Sequence, residues 1–189
     1  VKQLFYHKNI SYLLLIIFFC SFCYWIFVAT KNKNQPTKAI IINQEKPTKI
    51  IFGIATVVDG DTIIINKNRI RLVGIDAPET KQKCLDKNYY EYLCGELSTN
   101  FLTQLINNKE VQCQYSQKDI YQRYLGICTF QNININHEMI KNGMAVIYNL
   151  KDTSDELKNL ESEAQNKKIG IWQGAFQEPK QYRKTHRRK

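Results

Sequence analysis

Histidine is scarce in this chain, and of the three present only His137 falls inside the stretch that reads as a folded domain. That excludes chemistry built on histidine as acid, base or shuttle, and His137 itself reads as a helix-surface residue. None of Cys84, Cys94, Cys113 and Cys128 stands at the spacing of a zinc site. No internal repeat is present, which removes solenoids and propellers. With 189 residues, and the first thirty set apart by composition, there is no length for a second domain of ordinary size. Acidic residues are outnumbered, 17 against 27 basic ones, for a formal net charge of +10. Such a surface suits phosphates or anionic lipid, or it is basic and inert, since net charge speaks to partners and not to fold.

Charge is also missing from one long run. "SYLLLIIFFCSFCYWIFVA", residues 11–29, carries none and has the length a helix needs to cross a bilayer core. A cleaved secretory peptide has a shorter apolar region and small residues before the cut, so an uncleaved signal-anchor is the preferred reading. A buried core helix is the third alternative, opposed by the lack of a polar face. Lysines both precede the run (Lys2, Lys8) and follow it (Lys31, Lys33, Lys38), so the positive-inside rule does not fix orientation. The expectation is a membrane-anchored protein with its domain outside the cytoplasm, secreted if the segment is cut. Cys20 and Cys23 lie in this run, where thiolate chemistry is costly.

The remaining cysteines, Cys84, Cys94, Cys113 and Cys128, are an even set in an exported domain and suggest disulfides. Proximity favours Cys84 with Cys94, and a hairpin would face Cys113 with Cys128. Four buried thiols are the alternative if the domain is cytosolic.

Residues 30–48 are polar and lysine-bearing, with Pro36 and Pro47, and read as a tether. From residue 49 three β-branched runs follow, separated by Asp59-Gly60 and by turn residues near Lys67 and Asn68, which describe an antiparallel meander. Leu93, Leu97, Phe101 and Leu105, with Leu102 and Ile106 beside them, place a helix over 90–107. Two strands, "KEVQCQY" and "RYLGICTF", come next. A short helix over 135–142 and a last one from a capping box, Thr153 with Glu156, to about residue 168 complete the domain. Residues 179–189 read as a basic tail, either solvated or in nonspecific contact with polyanions. The order matches an OB-type barrel. The expected class is therefore α+β: a five-stranded OB-fold barrel over 49–178 with about three helices, preceded by one transmembrane helix in residues 1–29.

In the meander, Asp61 opens the second strand and Asp76 ends the third, so antiparallel pairing sets them opposite each other within a residue or two. Two carboxylates that close repel, and a hard divalent cation would resolve the repulsion; calcium or magnesium suits oxygen ligands better than zinc. The competing reading of Asp61 is a plain turn residue in "DGDT". Glu79, fixed by Pro78, is placed to deprotonate a water. Arg71 offers a fork of donors to a phosphate, although strict alternation puts it on the face opposite Asp76 unless Gly74 bends the strand.

"VVDGDTIII", "IRLVGIDAPET", "DIYQRYLG" and "SEAQNKKIGIW" together resemble, in order and spacing, the staphylococcal nuclease (thermonuclease) family, over residues 49–173. The resemblance implies an OB barrel with helices that hydrolyses DNA and RNA with calcium and leaves 3′-phosphate ends, acting as a monomer with single-stranded or loosely paired substrate favoured. It implies calcium on Asp61, Asp76 and the backbone carbonyl of Ala77, Glu79 as general base, and Arg71 and Arg123 as phosphate-binding arginines. Tyr121 and Tyr148 fall near family tyrosines that contact the nucleotide; as core or surface aromatics they fit equally well. Three departures stand out. Ala77 replaces a threonine, Gln122 replaces the usual glycine before the second arginine, and "KCLDKNYYEYLCGE" replaces a lysine-rich loop. Two rival functions remain: a catalytically inactive nucleic-acid or protein-binding module on the same fold, tethered to a membrane, and a tethered structural protein whose basic surface meets anionic headgroups.

Overall fold

The computed structural model describes residues 48–186. The apolar segment, nearly all of the tether and the last three residues lie outside them. Among the described residues no helix is long and apolar enough to cross a membrane.

The first strand, β1 (Lys49–Asp59), alternates from Ile50 onward. Ile51, Ala55 and Val57 pack against the core, while Ile50, Phe52 and Ile54 face outward, the pleat sending successive side chains to opposite faces. β2 (Thr62–Ile65) pairs antiparallel with β1, and β3 (Asn68–Leu72) pairs antiparallel with β2. The β2–β3 turn is Asn66-Lys67, both at positive φ (48° and 68°), one residue earlier than the sequence suggests; that geometry matches the twist of a two-residue hairpin. After Leu72 the chain bends at Gly74 (φ 83°), a left-handed position that only glycine takes without cost. It then enters β4 (Ile75–Asp76), which leaves the main sheet.

Next comes a small antiparallel hairpin, β5 (Lys83–Leu85) with β6 (Glu91–Leu93), bridged by the Cys84–Cys94 disulfide. The pairing of Glu91–Leu93 explains why helix α1 (Cys94–Ile106) starts four residues after the position that periodicity alone gives it. Its Leu102 and Ile106 are buried among Ile63, Ile70 and Leu72.

Strands β7 (Glu110–Lys118) and β8 (Tyr124–Phe130) pair antiparallel, with Cys113 directly opposite Cys128 and disulfide-bonded to it. β7 also pairs with β1, and β8 runs parallel to β3 with Arg71 level with Leu125. That last pairing closes a five-stranded barrel in the order β1-β2-β3-β8-β7, the OB arrangement.

A short β9 (Ile133–Asn134) leads into α2 (Ile135–Lys141), whose cap Asn134 accepts from the His137 N–H. Asn136 is buried at the closing seam: its Nδ2 donates to the carbonyls of Val73 (2.8 Å) and Gly126 (3.2 Å), and its Oδ1 accepts from Cys128 N–H. A buried amide with its donors and acceptor paired holds one geometry, and here it clips the end of β3 to β8.

β10 (Val146–Ile147) pairs with β4, setting Val146 opposite Asp76. After a 3-10 turn, α3 (Asp155–Lys167) is capped by Ser154, which accepts from Leu157 N–H. The cap is therefore one residue later than the Thr153/Glu156 box. The structure then adds a fourth helix where the sequence suggests an unstructured basic tail. α4 (Pro179–Thr185) begins with proline in its first turn, where the missing N–H costs nothing.

Candidate active site

Arg71 points from β3 into an angle between two carboxylates. Its Nη1 is ion-paired with Asp61 Oδ1, and its Nη2 donates to Asp76 Oδ1 (2.8 Å) and to the Ile75 carbonyl (3.2 Å). Asp61 and Asp76 are thus brought to opposite sides of one guanidinium, but not as hairpin neighbours. Thr62 is the residue level with Arg71, and Asp76 reaches the group from β4, beyond the bend at Gly74. The bend puts Arg71 and Asp76 on one side of a strand that flat alternation would split.

Backbone and hydroxyl donors fix Asp61. Ala77 N–H donates to its Oδ2 (3.0 Å) and Thr62 Oγ1 to its Oδ1 (3.1 Å), while its own N–H donates to Asp59. Ala77, buried directly after Asp76, therefore ties the two carboxylate segments through its main chain. Burial pushes the Arg71 guanidinium below its ordinary value against the opposing pull of Asp76, with Arg123 and Arg183 adding like-charge repulsion.

Glu79 follows Pro78 with its side chain 43% exposed. Its peptide is held on both sides: its N–H donates to Gln82 Oε1 and its carbonyl accepts from Gln82 N–H. Gly95, at the start of α1, packs against that carbonyl so closely that a Cβ there would collide with it. The helix start and the Glu79 turn can meet only through a residue without a side chain.

Arg123 lies in the β7–β8 turn. Asp119 organises it, with Oδ1 accepting from Arg123 N–H and Tyr121 N–H and Oδ2 accepting from Arg123 Nε (2.8 Å). Although burial works the other way, these bonds hold the Asp119 carboxyl below its usual range. Gln122 sits at φ 63°, which gives the physical reason a glycine suits that place. Tyr121 and Tyr148 are both largely exposed. The Arg123 guanidinium lies 5.6 Å from the Tyr121 ring, and Lys180 Nζ lies 5.7 Å from the Tyr148 ring.

Arg183, on α4, is a site residue that the sequence does not announce. Its Nη1 contacts Asp76 Oδ1 (3.0 Å) and Glu79 Oε1 (2.9 Å), and its Nη2 contacts Asp76 Oδ2 (2.8 Å). Burial opposes its charge, yet the hydrogen bonds and the two carboxylates raise it above the usual guanidinium value. Its one local signal in the sequence is Pro179 after Glu178, a helix-start pair in an otherwise basic stretch.

Most of these groups, though not the buried Asp76, line a cleft of about 1230 Å3 that runs from Asp61 and Arg71 past Arg123 and Tyr121 to Tyr148 and α4. It is roomier than the 300–1,000 Å3 typical of small-molecule pockets, and suits a segment of a polymer. The donor set fits a hard cation: Asp61 and Asp76 converge on one positive group. Among the described residues no cluster of three His, Cys, Asp or Glu forms a metal cage. An ion here would be held by two carboxylates, main-chain oxygen and water, as hard oxygen-seeking ions allow.

Residues 69–174 match the family described as staphylococcal nuclease homologues. The chain belongs to the staphylococcal nuclease family. It is 37% identical over 127 residues to an uncharacterized endonuclease of Escherichia coli O157:H7, spanning 65% of this chain and 76% of that protein. A thermonuclease of Staphylococcus intermedius is 33% identical over 131 residues, spanning 65% and 76%. A succinoglycan biosynthesis protein of Rhizobium meliloti is 34% identical over 128 residues, and there the match spans 64% of the relative, under two thirds of its length. Arg71, Asp76, Glu79 and Arg123 fall within the segment that matches the nuclease family; Asp61 precedes it and Arg183 follows it.

Proposed function

We propose that this protein is a calcium-dependent nuclease, largely indifferent to sequence, that hydrolyses phosphodiester bonds of DNA and RNA and leaves 3′-phosphate ends. The observation that carries the reading is the single cluster in which Asp61, Arg71, Asp76 and Glu79 meet beside Arg123 at one end of a basic cleft. Family membership and the nuclease names of its relatives support it.

Asp61, Asp76 and the Ala77 carbonyl would hold the ion, whose positive charge, when bound, attracts the scissile phosphate and offsets charge developing on it. Glu79 accepts a proton from the attacking water, a role suited to a carboxylate on a fixed turn at the cleft edge. Arg71 and Arg123 donate to the non-bridging phosphate oxygens as negative charge builds at phosphorus. Tyr121 and Tyr148 offer faces to bases or sugars, and such contacts read no base edge, so sequence preference is slight. The same proposal includes a membrane anchor at residues 1–29, a tether at residues 30–48 and a domain outside the cytoplasm, in keeping with two disulfides.

The test is digestion of single-stranded DNA by the full chain, with calcium or with a chelator, alongside Glu79→Gln. The variant is expected to lose about 10²–10⁴-fold in rate, the usual worth of a positioned base. Equal rates in the two proteins would remove Glu79 from the chemistry. A wild-type protein that binds single-stranded DNA and never cuts it would instead be the inactive binding module.

A further inference from the structure

We infer that α4 is an intramolecular latch, in which Arg183 holds Asp76, one of the proposed calcium ligands, together with Glu79, the proposed base, and must leave for calcium to bind. This rests on the calcium reading of the site proposed above and adds its regulation.

Lone pairs give the first reason. A carboxylate presents roughly four acceptor positions. On Asp76, Arg183 takes two, one on each oxygen, and Arg71 takes a third on Oδ1. Asp76 is 2% exposed, so a further cation could not approach it without displacing one of the two guanidiniums. The same Arg183 Nη1 also holds Glu79 Oε1 at 2.9 Å, which ties up the carboxylate proposed to activate water. One side chain therefore blocks both a metal ligand and the base.

Charge gives the second. Asp61, Asp76 and Glu79 carry three negative charges, and Arg71 with Arg183 supplies two positive ones. Adding a divalent ion to that set raises its charge by two, whereas exchanging Arg183 for the ion raises it by only one, in a partly buried place. Arg71 is the poorer candidate to leave, since it is 13% exposed at the side chain and ion-paired on both sides, against 36% for Arg183.

Anchoring gives the third. α4 is seven residues long and buries one of them, Pro179. Upstream it is held by Gln82 Nε2 donating to the Gln177 carbonyl (2.6 Å) and by Leu85 N–H donating to Ala175. An element with so little buried surface belongs to the low-stability end of a fold, the part that opens without global unfolding. Its release would leave the barrel and the five-strand closure untouched.

The experiment is calorimetric titration of Ca2+ into the full chain and into Arg183→Ala, with Asp76→Asn as the site control and Arg183→Lys as a variant that keeps the charge without the fork. Removing the competing cation is expected to tighten calcium binding about tenfold or more, within the range of ordinary intramolecular coupling. Arg183→Lys is expected to fall between the two, and Asp76→Asn to abolish binding. In the wild type, calcium should also expose the bonds after Lys180, Arg183 and Lys184 to trypsin. Equal or weaker calcium affinity in Arg183→Ala would overturn the latch while leaving the calcium site in place. Absence of any calcium binding by Arg183→Ala would overturn both, and the two failures are thereby distinguishable.

Discussion

On one wall of the cleft, Asp61, Asp76 and Arg71 are pinned by main-chain donors, by a buried asparagine clip at the strand seam and by ion pairs on a closed barrel. On the other wall, the functional groups stand on a seven-residue helix that reaches the body through residues 174–177. That connection rests on the β5–β6 hairpin and its disulfide: Leu85 N–H bonds Ala175, and Phe176 packs edge-on against Trp172 in a cluster with Cys84 and Cys94. The difference teaches that preorganisation and adjustability are separated in space here. The groups meant to hold charge in a fixed pattern are on strands, and the group that competes with them is on a part able to move.

The contrast can be broken most sharply at Arg71. Replacing it with lysine keeps one positive charge but loses the fork that spans Asp61 and Asp76, and cleavage of single-stranded DNA is expected to fall about 10²-fold or more. A loss of only a few fold would mean the fixed wall is less fixed than its contacts imply.

The disulfides sharpen the comparison at intermediate size. Each closes a loop of similar length, 10 and 15 residues apart in sequence, so removing either pair as Cys→Ala should cost about 3 kcal/mol by loop-closure entropy. Their local effects should differ. Loss of Cys84–Cys94 is expected to speed amide hydrogen exchange across residues 174–186 well before the barrel opens, whereas loss of Cys113–Cys128 should lower the denaturation midpoint with that segment still tied to the global transition. Identical exchange patterns in the two variants would erase the distinction between the walls.

The smallest effect concerns Lys180, which faces Tyr148 across the cleft mouth. Lys180→Ala should weaken single-stranded DNA binding a few fold and reduce the slope of log affinity against log salt by about 0.7, the contribution of one phosphate contact. An unchanged slope would place α4 outside the nucleic-acid path.

The sequence makes the fixed wall legible because its residues sit within one meander, where hairpin signals and strand alternation carry position directly. Asp61 and Asp76 are singled out by that route, although they meet through the bend at Gly74 and β4 rather than as hairpin neighbours, and Glu79 is singled out by the proline before it. Arg123 is different, since nothing local marks it out from any hairpin arginine; only resemblance picks it. Asn136 is not legible in the sequence, because a buried amide clip looks like a surface asparagine until the strands it joins are in place. Arg183 is hidden for a related reason. Its partner Asp76 lies 107 residues earlier, and a run of lysines and arginines at a chain end reads as solvated unless a distant acidic group is known to await it.

The parallel pairing of β3 with β8 joins strands separated in the chain by everything from β4 through β7. Contacts of such long range are slow to form, because loop-closure entropy comes before any reward. Arg71 and Arg123 stand on the two sides of this seam, so they become neighbours only once the barrel has shut. A half-unfolded copy therefore keeps the two guanidiniums apart until the seam has formed.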